Sequence, residues 1–106
     1  MRVLFDQGTP APLRHVLPGH EVSTAYELGW STLKNGELLA AAERCGPEVL
    51  VTTDTNLKYQ QNIASRSIAV VVLSTTSWPR IKAAAALVVA AVQTATPGTY
   101  VEVAVP

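Results

Sequence analysis

One hundred and six residues suffice for one domain with a single core, and not for two. Eight basic and eight acidic side chains give a formal net charge of zero, which speaks against a dedicated electrostatic nucleic-acid binder but leaves room for a nuclease with a local basic rim. A lone cysteine, Cys45, excludes an internal disulfide framework and a multi-cysteine zinc site.

Met1 runs almost directly into apolar Val3-Leu4-Phe5, which argues against a signal peptide. Residues 2–6 read as the first strand, a continuous apolar run of the kind covered on both faces. Gln7-Gly8-Thr9-Pro10 turns the chain, with Thr9 as cap and Pro10 in the first position of a short helix over 10–17. Pro18-Gly19 ends that helix, and His20 to Thr24 alternates as a second, more exposed strand. Residues 25–34, with Gly29 and Trp30 in the middle, read as a short helix or turn followed by a loop. Asn35 is expected as the N-cap of a helix in which Glu37 sits in the first turn and favours the dipole. Gly46 stops that helix and Pro47 forbids its extension. Cys45, just before Gly46, is expected as a small buried hydrophobe.

Val49 to Thr53 is the third strand and ends at Asp54. A polar helix over 56–65 follows, with Leu57 and Ile63 as weak apolar anchors. Ile68 to Leu73, rich in Val and Ile, is the fourth strand. Ser74 to Ser77 is a polar loop, Pro79 opens a last helix over 79–95, and Tyr100 to Val105 is a final edge strand. Strands alternating with helices predict one α/β domain over residues 1–106, an α/β/α sandwich around a mainly parallel sheet. The longest apolar run, ten residues from Ala83 to Val92, falls short of the roughly 20 that a membrane span needs. The expectation is a soluble, cytoplasmic chain with no membrane partner. The last helix has almost no polar face, which predicts burial on more than one side and a homodimer formed through it.

Asp6 and Asp54 each close a short apolar run. If those runs are neighbouring parallel strands, the two carboxylates emerge side by side at the C-terminal edge of the sheet, where open α/β sheets bind ligands. Like charges brought together repel unless a cation sits between them. With Glu37 as a third acid, the group suggests one or two Mg²⁺ or Mn²⁺ ions, which take few carboxylates and complete their shell with water and phosphate oxygens. Asn35 and Asn56 lie beside these acids and could meet a phosphate or orient a bound water, and Lys58 could neutralise a substrate backbone. The plainer reading of the same residues is local: Asp54-Thr55-Asn56 as an ordinary turn and Glu37 as a partner of a helix dipole. His15 and His20 have no partner at ligand spacing. Trp30 and Trp78 read as packing residues, and Ser74 to Ser77 could line the site from the fourth strand.

Val3-Leu4-Phe5-Asp6-Gln7-Gly8-Thr9-Pro10, Asn35-Gly36-Glu37-Leu38-Leu39 and Val51-Thr52-Thr53-Asp54-Thr55-Asn56-Leu57 together resemble a PIN-like domain of the small bacterial group of unknown function. Tyr59-Gln60-Gln61-Asn62 and Ser74-Thr75-Thr76-Ser77-Trp78-Pro79 extend the likeness over nearly the whole chain. The resemblance implies a central parallel sheet with a site at its C-terminal edge. It further implies Mg²⁺- or Mn²⁺-dependent cleavage of RNA, often by a toxin paired with an antitoxin protein. By that pattern Asp6 is the first-strand metal ligand and Asp54 the ligand of the Thr-x-Asp segment. Active members carry acids where Asn35 and Asn56 stand here. Glu37, two residues beyond Asn35, is turned from it by about 200° on a helix.

Three functions are therefore in view. The first is a metal-dependent ribonuclease or related phosphodiesterase using Asp6, Glu37 and Asp54. The second is a catalytically weak or inactive PIN-like module that binds RNA or a protein partner. The third, a phospho-acceptor receiver with Asp54 as acceptor, lacks a second acid beside Asp6 and a lysine after a fifth parallel strand.

Overall fold

The computed structural model describes residues 1–57 and 62–106. Five strands form one all-parallel sheet: β1 (Arg2–Phe5), β2 (Glu21–Thr24), β3 (Val49–Thr52), β4 (Ala69–Leu73) and β5 (Tyr100–Val103), in the order β2-β1-β3-β4-β5. The chain steps from β1 out to β2, returns across β1 to β3, and then builds outward through β4 to β5. The direction of building reverses between β1 and β3, and that is where such sheets open a crevice. Val3 pairs with Val49 and Phe5 with Val51, so Asp6, the first residue after β1, and Thr52, the last residue of β3, continue the same register.

β3 and β4 are buried at every residue, and β1 at all but Arg2. These strands lie inside the sheet with both faces covered, which is why their sequences run apolar without alternation. One face carries Val3, Phe5, Val49, Val51, Val71 and Leu73 against Leu13, Leu17, Ile81, Val88 and Val92. The other carries Leu4, Leu50, Val70 and Val72 against Ala25, Leu38, Leu39, Leu57 and Ile63. The result is the α/β/α sandwich expected from the sequence. Each fully buried Val, Leu or Phe contributes roughly 1.5–3 kcal/mol relative to exposure. Trp30 and Trp78 pack against these two cores, one on each face. Among the described residues, no helix is long and apolar enough to cross a membrane.

Four sequence expectations need correction. The segment expected as a helix over 10–17 is a 3-10 helix over Ala11–Val16 with Pro10 as its cap, and Thr9 does not cap it. The Thr9 hydroxyl is taken by Asp6 and by the Val51 carbonyl instead. Helix α1 spans Asn35–Cys45 with Lys34, not Asn35, in the extended cap position; the Asn35 side chain reaches Asp54. Cys45 is exposed rather than buried. It ends α1 just before Gly46, whose φ of 109° provides the left-handed stop, so the helix leaves the core there. The last helix is two: α2 (Trp78–Ala83) and α3 (Ala85–Gln93) meet at Ala84, whose φ of −104° and ψ of 21° depart from the helical values. Ile81, Ala84, Val88, Ala91 and Val92 still face the core across this break. Only that side of α3 is covered, while Ala86, Leu87 and Ala90 remain exposed.

Of the helix expected over 56–65, residues 56, 57 and 62–65 are among those described. Leu57 and Ile63 are both buried, and Ile63–Ser65 is a 3-10 turn. Residues 58–61, including Lys58 and the Tyr59-Gln60-Gln61 stretch, lie outside the described residues.

Candidate functional site

Asp6 follows β1 directly, at the strand-order reversal. Its Oδ1 accepts the Thr9 backbone N–H at 3.1 Å and the Thr9 hydroxyl at 2.8 Å, while its Oδ2 accepts the Thr52 hydroxyl. Thr9 Oγ1 also lies 2.9 Å from the Val51 carbonyl oxygen; with one proton to give, it serves one acceptor at a time. Thr9 and Thr52 are themselves buried. Two buried hydroxyls, one from the turn after β1 and one from β3, thus fix the orientation of a half-buried carboxylate.

Thr52 does a second task. Its Oγ1 accepts the Asp54 backbone N–H at 3.1 Å, so one side chain links the backbone of one acid to the carboxylate of the other. Asp54 Oδ1 accepts the Asn56 backbone N–H at 2.9 Å, and Asp54 Oδ2 accepts Asn35 Nδ2 at 2.5 Å. Asn56 therefore joins the site through its backbone, while its side chain stands at an exposed turn. Asn35 joins through its side chain from the first residue of α1.

Glu37 is placed differently. It is the third residue of α1, is exposed, and has Oε1 3.4 Å from the Lys34 backbone N–H. That is the reciprocal half of a capping box, with the carboxylate turned back on its own helix start. Among the described residues, no three His, Cys, Asp or Glu side chains gather as an ion-holding group. The structure thus brings Asp6, Asn35, Asp54 and the backbone of Asn56 together through Thr52, and places Glu37 on the helix cap.

Asp6, Gln7 and Gly8 form a wall between two hollows. The larger, a cleft of about 590 Å³, is lined also by Thr9, Thr24, Tyr26, Ser31 and Thr76. The smaller, about 170 Å³, is lined also by Ala25, Trp30, Leu33, Asn35 and Leu38. A Cβ on Gly8 would overlap the Thr53 hydroxyl, which would have to shift to admit it. Thr76 is the member of the Ser74–Ser77 loop that reaches the cleft. Ser74 instead accepts the Val105 N–H at 2.8 Å, and Thr75 accepts the Ser77 N–H at 3.1 Å.

The donor set is all oxygen and amide, the kind that suits Mg²⁺ or Mn²⁺ rather than a softer metal. Each carboxylate oxygen has two lone-pair directions. The described donors use both on Asp6 Oδ1 and one each on Asp6 Oδ2, Asp54 Oδ1 and Asp54 Oδ2. Two carboxylates with lone pairs in reserve fit an ion that keeps several waters and borrows substrate oxygens.

Sequence reasoning missed Thr9, Thr52 and Tyr26. In the sequence Thr9, beside Pro10, reads as a helix cap, and Thr52 as a strand residue that belongs to the Thr-x-Asp segment without a contact of its own. Tyr26 lies in the ambiguous 25–34 stretch, where Thr24-Ala25-Tyr26-Glu27 has the spacing of a capping box and was the available signal.

These features define a class: a doubly wound α/β protein with one acid, Asp6, on the cleft wall at its strand-order reversal and a second, Asp54, tied to it through Thr52. Comparison with protein-family models, with curated proteins and with solved structures returns no match. β5 is followed by Ala104-Val105-Pro106, so no lysine stands at the end of that strand and the receiver reading keeps its deficit.

Proposed function

We propose that the chain is a PIN-like, Mg²⁺- or Mn²⁺-dependent phosphodiesterase that acts on RNA, with Asp6 and Asp54 as the carboxylates that hold the ion. One observation carries this reading: the two acids leave neighbouring parallel strands at the reversal point, are bridged by Thr52, and present Asp6 on the wall of an open cleft. A bound ion supplies an activated water and stabilises the charge that develops on a phosphate under attack. The chain's own residues orient and select. Thr9 and Thr52 hold the Asp6 carboxylate, Asn35 holds that of Asp54, and Gln7, Ser31 and Thr76 give the cleft polar walls. A net charge of zero limits non-specific phosphate attraction, so short contacts in the cleft do the selecting.

The placement of Glu37 on the α1 cap favours a second reading, a PIN-like module that binds RNA or a protein partner such as an antitoxin without turnover. Mn²⁺ calorimetry on wild type, Asp6→Asn and Asp54→Asn, followed by an RNA cleavage assay, separates the two. Binding and cleavage in wild type, lost in both variants, support the phosphodiesterase. RNA or protein binding without Mn²⁺ binding supports the module. Self-association is assigned to the exposed side of α3; light scattering on wild type and Leu87→Glu checks it.

A further inference from the structure

Tyr26 leaves 80% of its surface in solvent, more than Leu28, Leu87 or Val101, the other large apolar side chains exposed among the described residues. Its ring stands between two hollows. The Asp6 cleft and a second hollow of about 530 Å³, lined by Arg14, His15 and Glu27, share Ala11, Thr24 and Tyr26. A groove therefore runs from the acid site past the tyrosine to Arg14 and His15.

The turn that carries Tyr26 is fixed on every side. Ala25 N–H donates to the Phe5 carbonyl at 2.8 Å, joining the turn to the last residue of β1, next to Asp6. Thr24 and Glu27 cap each other, with Thr24 N–H to Glu27 Oε1 at 2.8 Å and Glu27 N–H to Thr24 Oγ1 at 3.1 Å. Arg14 then holds both Glu27 oxygens, at 2.5 and 3.2 Å. A large aromatic face thus stands in water on a hydrogen-bonded turn, which lowers the cost of ordering that turn when a ligand covers the ring. A flat, sequence-tolerant partner flanked by polar groups is what an unpaired nucleobase offers.

We propose that Tyr26 is a stacking platform for an unpaired nucleobase of the strand whose phosphate faces Asp6, which makes the preferred ligand single-stranded RNA. This rests on the phosphodiesterase reading for the nature of the ligand, but not on turnover. Duplex RNA keeps its bases stacked on one another and has no free face to offer the ring.

The test is equilibrium binding of a short fluorescein-labelled single-stranded RNA, its duplex, and an abasic ribose-phosphate chain of equal length. The proteins are wild type, Tyr26→Ala, Tyr26→Phe and Asp6→Asn, with Mn²⁺ calorimetry on each. Tyr26 is on the surface, so Tyr26→Ala retains the fold, and circular dichroism verifies this. The expected result is a loss of about tenfold in single-strand affinity for Tyr26→Ala, in the range of one stacked base. Tyr26→Phe stays near wild type, duplex and abasic chains bind weakly, and Mn²⁺ binding is unchanged by either tyrosine variant. Equal RNA affinity for wild type and Tyr26→Ala overturns the platform, as does a wild type that binds none of the three chains. Tyr26-dependent RNA binding without Mn²⁺ binding upholds the platform and removes the phosphodiesterase reading.

Discussion

Asn35 Nδ2 donates to Asp54 Oδ2 at 2.5 Å, tying the first residue of α1 to the turn after β3. In the PIN-like reading proposed above, an acid is expected at the position of Asn35. Replacing the amide by a carboxylate sets two like charges within hydrogen-bonding distance, and a divalent ion between them relieves the repulsion. Asn35→Asp should therefore destabilise the metal-free protein by on the order of 2 kcal/mol, the worth of a hydrogen bond to a charged group. For a domain of this size each kcal/mol lowers Tm by about 4–8 °C. Mn²⁺ should raise the Tm of this variant more than that of wild type, because it binds only the folded site. Thermal unfolding with and without Mn²⁺ checks both; equal Mn²⁺ shifts would remove Asp54 from the ion's ligands.

Thr52 joins the acids with one hydroxyl, so its loss is felt at both. Thr52→Val keeps the shape but leaves the Asp54 N–H without its acceptor and Asp6 Oδ2 without its donor. The expected cost is about 1–3 kcal/mol, the penalty of stranding a buried polar group. Urea unfolding measures it, with Thr55→Val as the control. Thr55 is exposed, and substitutions at such surface sites usually stay within about 0.5 kcal/mol.

Glu37 accepts from the Lys34 N–H and, among the described residues, forms no ion-holding group with Asp6 and Asp54. Glu37→Gln preserves an acceptor for the cap, so Mn²⁺ affinity and stability should both stay near wild type. Glu37→Ala should cost up to about 1 kcal/mol by loss of the cap and the dipole charge. Calorimetry decides the point: Mn²⁺ binding weakened in Glu37→Gln would return that side chain to the ion.

The strands were legible because β1, β3 and β4 are buried on both faces and read as apolar runs. Asp6 and Asp54 were legible because each closes such a run. Their adjacency depended on β1 pairing with β3, a long-range choice that no local pattern encodes. The roles of Thr9 and Thr52 were hidden for a similar reason. A threonine beside a proline reads as a helix cap, and one in a strand reads as β-propensity, until a carboxylate from another element competes for the hydroxyl. Cys45 shows the converse: its spacing from Leu38 fits the buried stripe of α1, but the helix reaches Gly46 and leaves the core at that residue. The break at Ala84 has no proline or glycine to announce it; it divides α2 from α3 while keeping Ile81, Val88 and Val92 on one face.

Glu27 couples the turn that presents Tyr26 to pH. The Arg14 guanidinium, followed by the Thr24 N–H, lowers the Glu27 carboxyl from its ordinary 4.5 to about 2. Because the folded value is depressed, the contribution is fully present above about pH 4.5. It shrinks as pH falls below that value, where the unfolded chain takes the proton first, and is gone once pH has fallen through about 2. The side chain is open to solvent, so salt screens the pair as well. The stability difference between wild type and Glu27→Gln should accordingly be constant from pH 6 to 5 and narrow progressively from pH 4.5 to 2. It should narrow also at high salt, measured by urea unfolding across the series. If the turn is the mount for Tyr26, Glu27→Gln should weaken single-stranded RNA binding at neutral pH while leaving Mn²⁺ binding intact. A variant with undiminished RNA affinity would show that the ring needs no fixed mount.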